Sequence, residues 1–68
     1  MMNMKRLAKN VRAIRQQRGL SQTAVAKRAG VTQAAIAMLE TDKTVNPTLG
    51  LLMRVAKVLK CKVGDLVD

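Results

Sequence analysis

The chain has 68 residues, with thirteen Lys and Arg against four Asp and Glu and no His, for a formal charge of +9. A chain this short has room for one core, so residues 1–68 are read as a single domain. Apolar residues make up 49% of it and none is aromatic, so the interior must be packed from Leu, Ile, Val, Ala and Met. The lone Cys61 excludes an internal disulfide and a zinc cluster, and it is read as a core residue rather than a reactive thiol. With no His and only scattered carboxylates, no catalytic constellation can be assembled, and no enzyme activity, metal or cofactor is expected. No apolar run approaches the ~20 residues of a membrane span, and no signal-peptide stretch opens the chain. The basic residues are spread from Lys5 to Lys62 rather than gathered in a tail. That points to a folded surface facing a polyanion, nucleic acid before membrane.

Met4 to Arg18 lacks Gly and Pro, and Leu7, Val11 and Ile14 recur at intervals of four and three, predicting a helix that Gly19 closes. Ser21 reads as the N-cap of a second helix, Gln22 to Ala29, with Leu20 and Val25 spaced as a hydrophobic staple. Gly30 ends it. Thr32 repeats the device for a third helix, from Gln33 to about Glu40, with Val31 and Ile36 as the staple. Thr41 to Pro47 is polar and reads as a loop. Thr48 caps a fourth helix, Leu49 to Leu59, expected to bury Leu49, Leu52, Ala56 and Leu59 with Met53 or Val55 flanking. A short fifth helix, about Val63 to Val67, brings Leu66 onto the bundle. The fold class is all-α, a compact five-helix bundle.

The second and third helices are joined so tightly that they must cross steeply. Ala26 lets their backbones approach, and Gly30 supplies the positive φ of the corner. Val25, Ala29, Val31, Ile36 and Leu39 are apolar where the pair faces a core. Residues 22–39 therefore read as a helix-turn-helix.

From about Leu7 to Val67 the chain resembles the Cro/CI (XRE) family of lambdoid phage repressor DNA-binding domains. The resemblance is carried by the run from Arg15 to Gln22, by Val25-Ala26, by Ala29 to Gln33, by Ile36, by Leu39-Glu40 and by Asn46 to Leu49. It implies a transcriptional regulator, a repressor by preference, in a bacterial or phage cytoplasm, laying helix 33–40 in the major groove of double-stranded DNA. Gln33 falls where the family reads a base, and its amide suits adenine N6 and N7. Ala34, Ala37 and Met38 occupy further base-facing positions, where thymine methyls are the contacts open to them. Gln22 and Thr32, at helix N-termini, and Lys43, Thr44 and Asn46, in the following loop, are the expected phosphate contacts, with Arg12 and Lys27 as lesser ones. Arg15 and Glu40 match a structural salt bridge.

The expected site is A/T-leaning and two-fold symmetric. It would be bound by a homodimer through the helix 4–5 region, where Leu51, Val55, Val58, Val63 and Val67 offer apolar surface. Three positions depart from the family. Asp42 and Lys60 stand where glycine is usual, and Lys62 stands where a Ser or Thr cap is usual, so the turn after the fourth helix is expected to differ in geometry. The alternative function is an antitoxin or another protein-interaction module of the same fold. RNA or single-strand binding would want aromatic stacking platforms that the chain lacks.

Overall fold

Three hydroxyl caps set the helix starts. Ser21 Oγ accepts from the Ala24 N–H at 3.0 Å, Thr32 Oγ1 from Ala35 at 3.1 Å, and Thr48 Oγ1 from Leu51 at 3.0 Å. Each satisfies one of the orphan donors of a helix N-terminus. The computed structural model describes residues 3–41 and 47–68. Its helices are α1 (Met4–Gln17), α2 (Gln22–Ala29), α3 (Gln33–Glu40), α4 (Leu49–Leu59) and α5 (Val63–Val67), with no strand among the described residues.

The ends of α1, α2 and α4 share one geometry. After α1 the Leu20 N–H bonds to Arg15 O and Gly19 N–H to Gln16 O; after α2 Val31 bonds to Ala26 O and Gly30 to Lys27 O. This is the Schellman pattern, and Gly19 (φ 69°) and Gly30 (φ 72°) supply the left-handed residue it needs. After α4, Cys61 bonds to Ala56 O and Lys60 to Lys57 O, with Lys60 itself at φ 56°, ψ 46°. The expectation of a different turn there is corrected. Lysine adopts the glycine conformation, and the six-residue closure survives at a steric cost of about 1–2 kcal/mol. Lys62 likewise serves as the N-cap residue of α5. The bond runs in reverse, with the Lys62 N–H donating to Asp65 Oδ2 at 2.9 Å.

The core is aliphatic throughout. Leu7, Val11, Val25, Ile36, Leu39, Val55, Leu59 and Leu66 are fully buried, and Leu52 and the small Ala26 and Ala56 nearly so. α2 packs on α3 and α4, while α1 packs on α3 and α5. The burial expected of Leu49 is wrong. Leu49 is 64% exposed and Met53 56%, while Val55, assigned a flank, lies in the core. The apolar stripe that meets α2 and α5 runs through Leu52, Val55, Ala56 and Leu59 instead.

α1 also straps the bundle with its polar side chains. Arg12 Nη2 donates to Glu40 O at 2.8 Å, Arg18 Nε to Leu59 O at 2.8 Å, and Asn10 Nδ2 to Leu66 O at 3.0 Å. These carbonyls lie at the C-terminal ends of α3, α4 and α5, where a helix leaves carbonyls unpaired and its dipole favours a cation. A core without aromatic rings gains long-range ties in this way.

Lys60→Gly is expected to stabilise the domain by about 1 kcal/mol, raising its melting midpoint by ~4–8 °C, while Lys60→Ala, equally strained, gains none of this. Thermal unfolding followed by circular dichroism decides it; an equal shift in both variants would assign the effect to the lost charge.

Candidate nucleic-acid interface

The corner between α2 and α3 places the N-termini of both helices near one another and turns one side of α3 outward. At ~100° per residue, Gln33, Ala37, Ala34 and Met38 fall on one continuous stripe opposite Ile36 and Leu39. Gln33 and Ala34 are exposed, Met38 is 47% exposed and Ala37 is half-buried. Three of these four side chains are apolar and make no hydrogen bond, so the stripe carries one amide. Thr32 is exposed at the head of α3, its Oγ1 already accepting from Ala35.

Behind this stripe sits the one buried charged residue among those described. Glu40 is 2% exposed. Its Oε2 accepts from Arg15 Nε at 2.5 Å and its Oε1 from Arg15 Nη2 at 2.9 Å, a two-point fork that a planar guanidinium suits. Arg15 Nη1 donates to Leu20 O at 2.7 Å, so the same side chain ties α1 to the end of α3 and to the turn before α2. The hydrogen bonds it donates to Glu40 lift the Arg15 guanidinium above its ordinary pKa, against an opposing desolvation.

The network continues to the surface. Gln22 Nε2 donates to Glu40 Oε1 at 3.2 Å, and Gln33 Nε2 donates to Gln22 Oε1 at 2.8 Å. The salt-bridge pair and the two glutamines, which the sequence placed in three separate roles, thus form one chain, Arg15–Glu40–Gln22–Gln33. It starts in the interior and ends at the first residue of α3. Gln33 faces outward.

Arg12 is held on the Glu40 carbonyl, yet it still lines a shallow concavity of about 390 Å³ with Lys5, Lys9, Gln16 and Thr41 along the α1–α3 seam. Lys5 and Lys9 were not singled out in the sequence, although their i, i+4 spacing with Arg12 at i+7 marks one face of α1. Lys27 is exposed on α2. Lys43, Thr44 and Asn46, the expected loop contacts, lie outside the described residues, as does Asp42. No group of three His, Cys, Asp or Glu that would hold a metal occurs among the described residues. Nor is any described helix long and apolar enough to cross a membrane.

Residues 11–66 match the Helix-turn-helix family model HTH_3. The chain belongs to this helix-turn-helix family. Among curated proteins, none matches. Among solved structures, the chain is similar to the restriction-modification controller protein C.AhdI from Aeromonas hydrophila, at 22% identity and TM-score 0.87, over 93% of this chain and 94% of that one. It is similar to the DNA-binding domain of the P22 C2 repressor at 31% identity and TM-score 0.84, over 96% and 84% of the two chains. It is similar also to SinR, a master regulator of biofilm formation solved in complex with DNA, at 27% identity and TM-score 0.86, over 91% and 98%. Other matched chains are longer, a transcriptional regulator and an epoxidase among them, and this chain spans 35% to 38% of their length.

Cys61 is half-buried, and its thiol is pushed above its ordinary 9.0 first by desolvation and then by Asp65, with Arg18 opposing. A raised value means less thiolate at any given pH, so alkylation by iodoacetamide at pH 8 is expected to run slower than for a free cysteine. For the interior pair, Glu40→Ala strands a guanidinium whose side chain is only 12% exposed and is expected to cost about 3–5 kcal/mol in urea unfolding. A loss under about 1 kcal/mol would show that the pair does not hold α1 to α3.

Proposed function

We propose that the chain is a sequence-preferring, double-stranded DNA-binding transcriptional regulator, acting as a repressor by occupying its site, with α3 laid in the major groove. The observation that carries this reading is the outward stripe of α3 headed by Gln33, its amide tethered through Gln22 to a buried carboxylate. A tethered amide has lost much of its rotamer freedom before any base arrives, so less entropy is lost on contact. Membership of the helix-turn-helix family and the likeness to the P22 C2 repressor domain and DNA-bound SinR support the same function.

Gln33 contacts adenine through N6 and N7, a pairing worth about 1–3 kcal/mol of discrimination. Ala34, Ala37 and Met38 lie against thymine methyls, which makes the preferred site A/T-leaning. Gln22 has a second amide proton left for a phosphate, and Thr32 at the head of α3 has its hydroxyl proton. Lys43, Thr44 and Asn46 remain proposed phosphate contacts in the loop after α3, and Lys5, Lys9 and Arg12 join them on the α1 side.

Two such half-sites read by a homodimer through the α4–α5 region complete the proposal. Of the residues first assigned to that contact, Val55 is unavailable because it is fully buried. Leu51, Val58, Val63 and Val67 are half-buried, and the strongly exposed Leu49 and Met53 stand on the same helix α4.

Selection from a randomised duplex pool is expected to enrich an A/T-leaning inverted repeat, and binding to it should weaken steeply between 50 and 200 mM salt, by roughly 10³-fold or more for six phosphate contacts. Gln33→Ala should flatten the preference at one base pair per half-site. Enrichment of no motif would reduce the protein to an electrostatic binder. Sedimentation with and without the selected duplex tests the dimer, and a single copy per duplex would overturn it.

A further inference from the structure

We propose that Glu40, which faces no DNA, is a positioning residue for base selection: its carboxylate sets the direction in which the Gln33 amide points. The inference rests on the reading of Gln33 as a base contact and deepens it. A glutamine amide is nearly symmetric in shape, and its two ends differ only in hydrogen bonding: Oε1 accepts and Nε2 donates. An exposed glutamine can present either end to a base. Gln33 cannot. A carboxylate only accepts, so Gln22 must turn its Nε2 to Glu40 Oε1. Its Oε1 is thereby left facing Gln33, which must answer with Nε2. Arg15 donates two further bonds to the carboxylate and holds it in place. Both amide donors in the chain point toward the carboxylate, and one buried charge fixes the polarity of two amides in series.

The consequence is a choice of base. Gln33 Nε2 lies on the Gln22 side, which is the side of the DNA backbone in the proposed docking, and Oε1 lies toward the middle of the groove. From backbone to groove centre this presents a donor and then an acceptor. Adenine answers with N7 as acceptor and N6 as donor. The reversed amide would present acceptor then donor, and would match cytosine N4 followed by O6 of the paired guanine. The lock therefore discriminates adenine from cytosine on the strand held by Gln22. A glutamine free to turn over discriminates them poorly.

The test measures relative affinity for duplexes carrying A or C at the position that Gln33→Ala flattens, with each variant's fold checked by circular dichroism. Wild-type protein is expected to prefer A by about ten- to a hundredfold. Glu40→Gln keeps the shape but lets residue 40 either donate or accept, and it should cut that ratio at least ~fivefold. The double variant Gln22→Glu/Glu40→Gln moves the carboxylate one link outward, where it again only accepts from Gln33. It should restore the ratio although the Arg15 pair is gone and overall affinity has fallen. A merely structural role for Glu40 gives no such rescue.

A Glu40→Gln protein with full A-over-C preference overturns the lock while leaving the Gln33 contact standing. A Gln33→Ala protein that keeps the preference overturns the contact itself. Should Glu40→Gln fail to fold, NMR of wild-type protein decides. A cross-peak from the Gln33 side-chain amide protons to Gln22, with amide shifts displaced from those of a free glutamine, supports the lock, and the shifts of a freely turning glutamine without that cross-peak overturn it.

Discussion

The interior bond between Arg15 and Glu40 is the interaction on which the rest of the structure turns. It joins α1 to the last residue of α3 and, through Leu20 O and Gln22, reaches the turn before α2 and the first residue of α2. Taking two charges out of water is expensive, and a matched apolar pair often serves stability as well or better. What an apolar pair lacks is direction. The guanidinium fork has three of its nitrogens aimed at three separate acceptors, which fixes the angle between helices that small aliphatic side chains alone would leave loose. Lysine, a point charge on a flexible stem, would keep the attraction and lose the angle.

The other polar side chains of α1 and its C-cap show how a small, aromatic-free domain adds order without adding core. Arg12, Asn10 and the C-cap residue Arg18 each reach a carbonyl at the end of a different helix, so α1 and its cap tie down the C-termini of α3, α5 and α4. The cost is electrostatic. Thirteen basic residues on 68 repel one another, and with Glu40 spent internally few acids remain on the surface to offset them. That repulsion destabilises the free protein and is relieved wherever a polyanion lies against the surface. The same residues that strain the fold therefore favour association with a phosphate backbone.

Much of the architecture was legible because its signals are local. Ser21, Thr32 and Thr48 mark helix starts by a bond spanning three residues, and Gly19 and Gly30 mark ends by a conformation few other residues accept. Where a decision depended on distant partners, the reading failed or stopped short. α4 is apolar around much of its circumference, so a stripe through Leu49 and one through Val55 are equally periodic. Only the packing of α2 and α5 chooses between them. Lys60 adopts a glycine's backbone because the turn it belongs to is closed by Cys61 and Ala56, which outweighs its own steric preference. At the interface, Gln22 and Gln33 were visible one at a time. That they touch, and that Glu40 stands behind both, depends on where three side chains from two helices meet in space, which no spacing along the chain encodes.

On the proposed docking, α3 offers a groove one amide among apolar neighbours, and this limits how selectivity can be built. A single bidentate contact contributes about 1–3 kcal/mol, whereas specific complexes exceed non-specific ones by about 4–10 kcal/mol. Two copies of Gln33 on a symmetric site reach the lower part of that range, and thymine methyls against Ala34, Ala37 and Met38 add to it without adding any donor. A protein with so few readers cannot tolerate a reader that turns over, since losing the polarity of one amide forfeits most of the discrimination its half-site has. On that proposal the buried carboxylate behind α3 has a use beyond fixing the angle between helices. It would keep the one amide on the outward stripe of α3 presenting the same end to the proposed base contact.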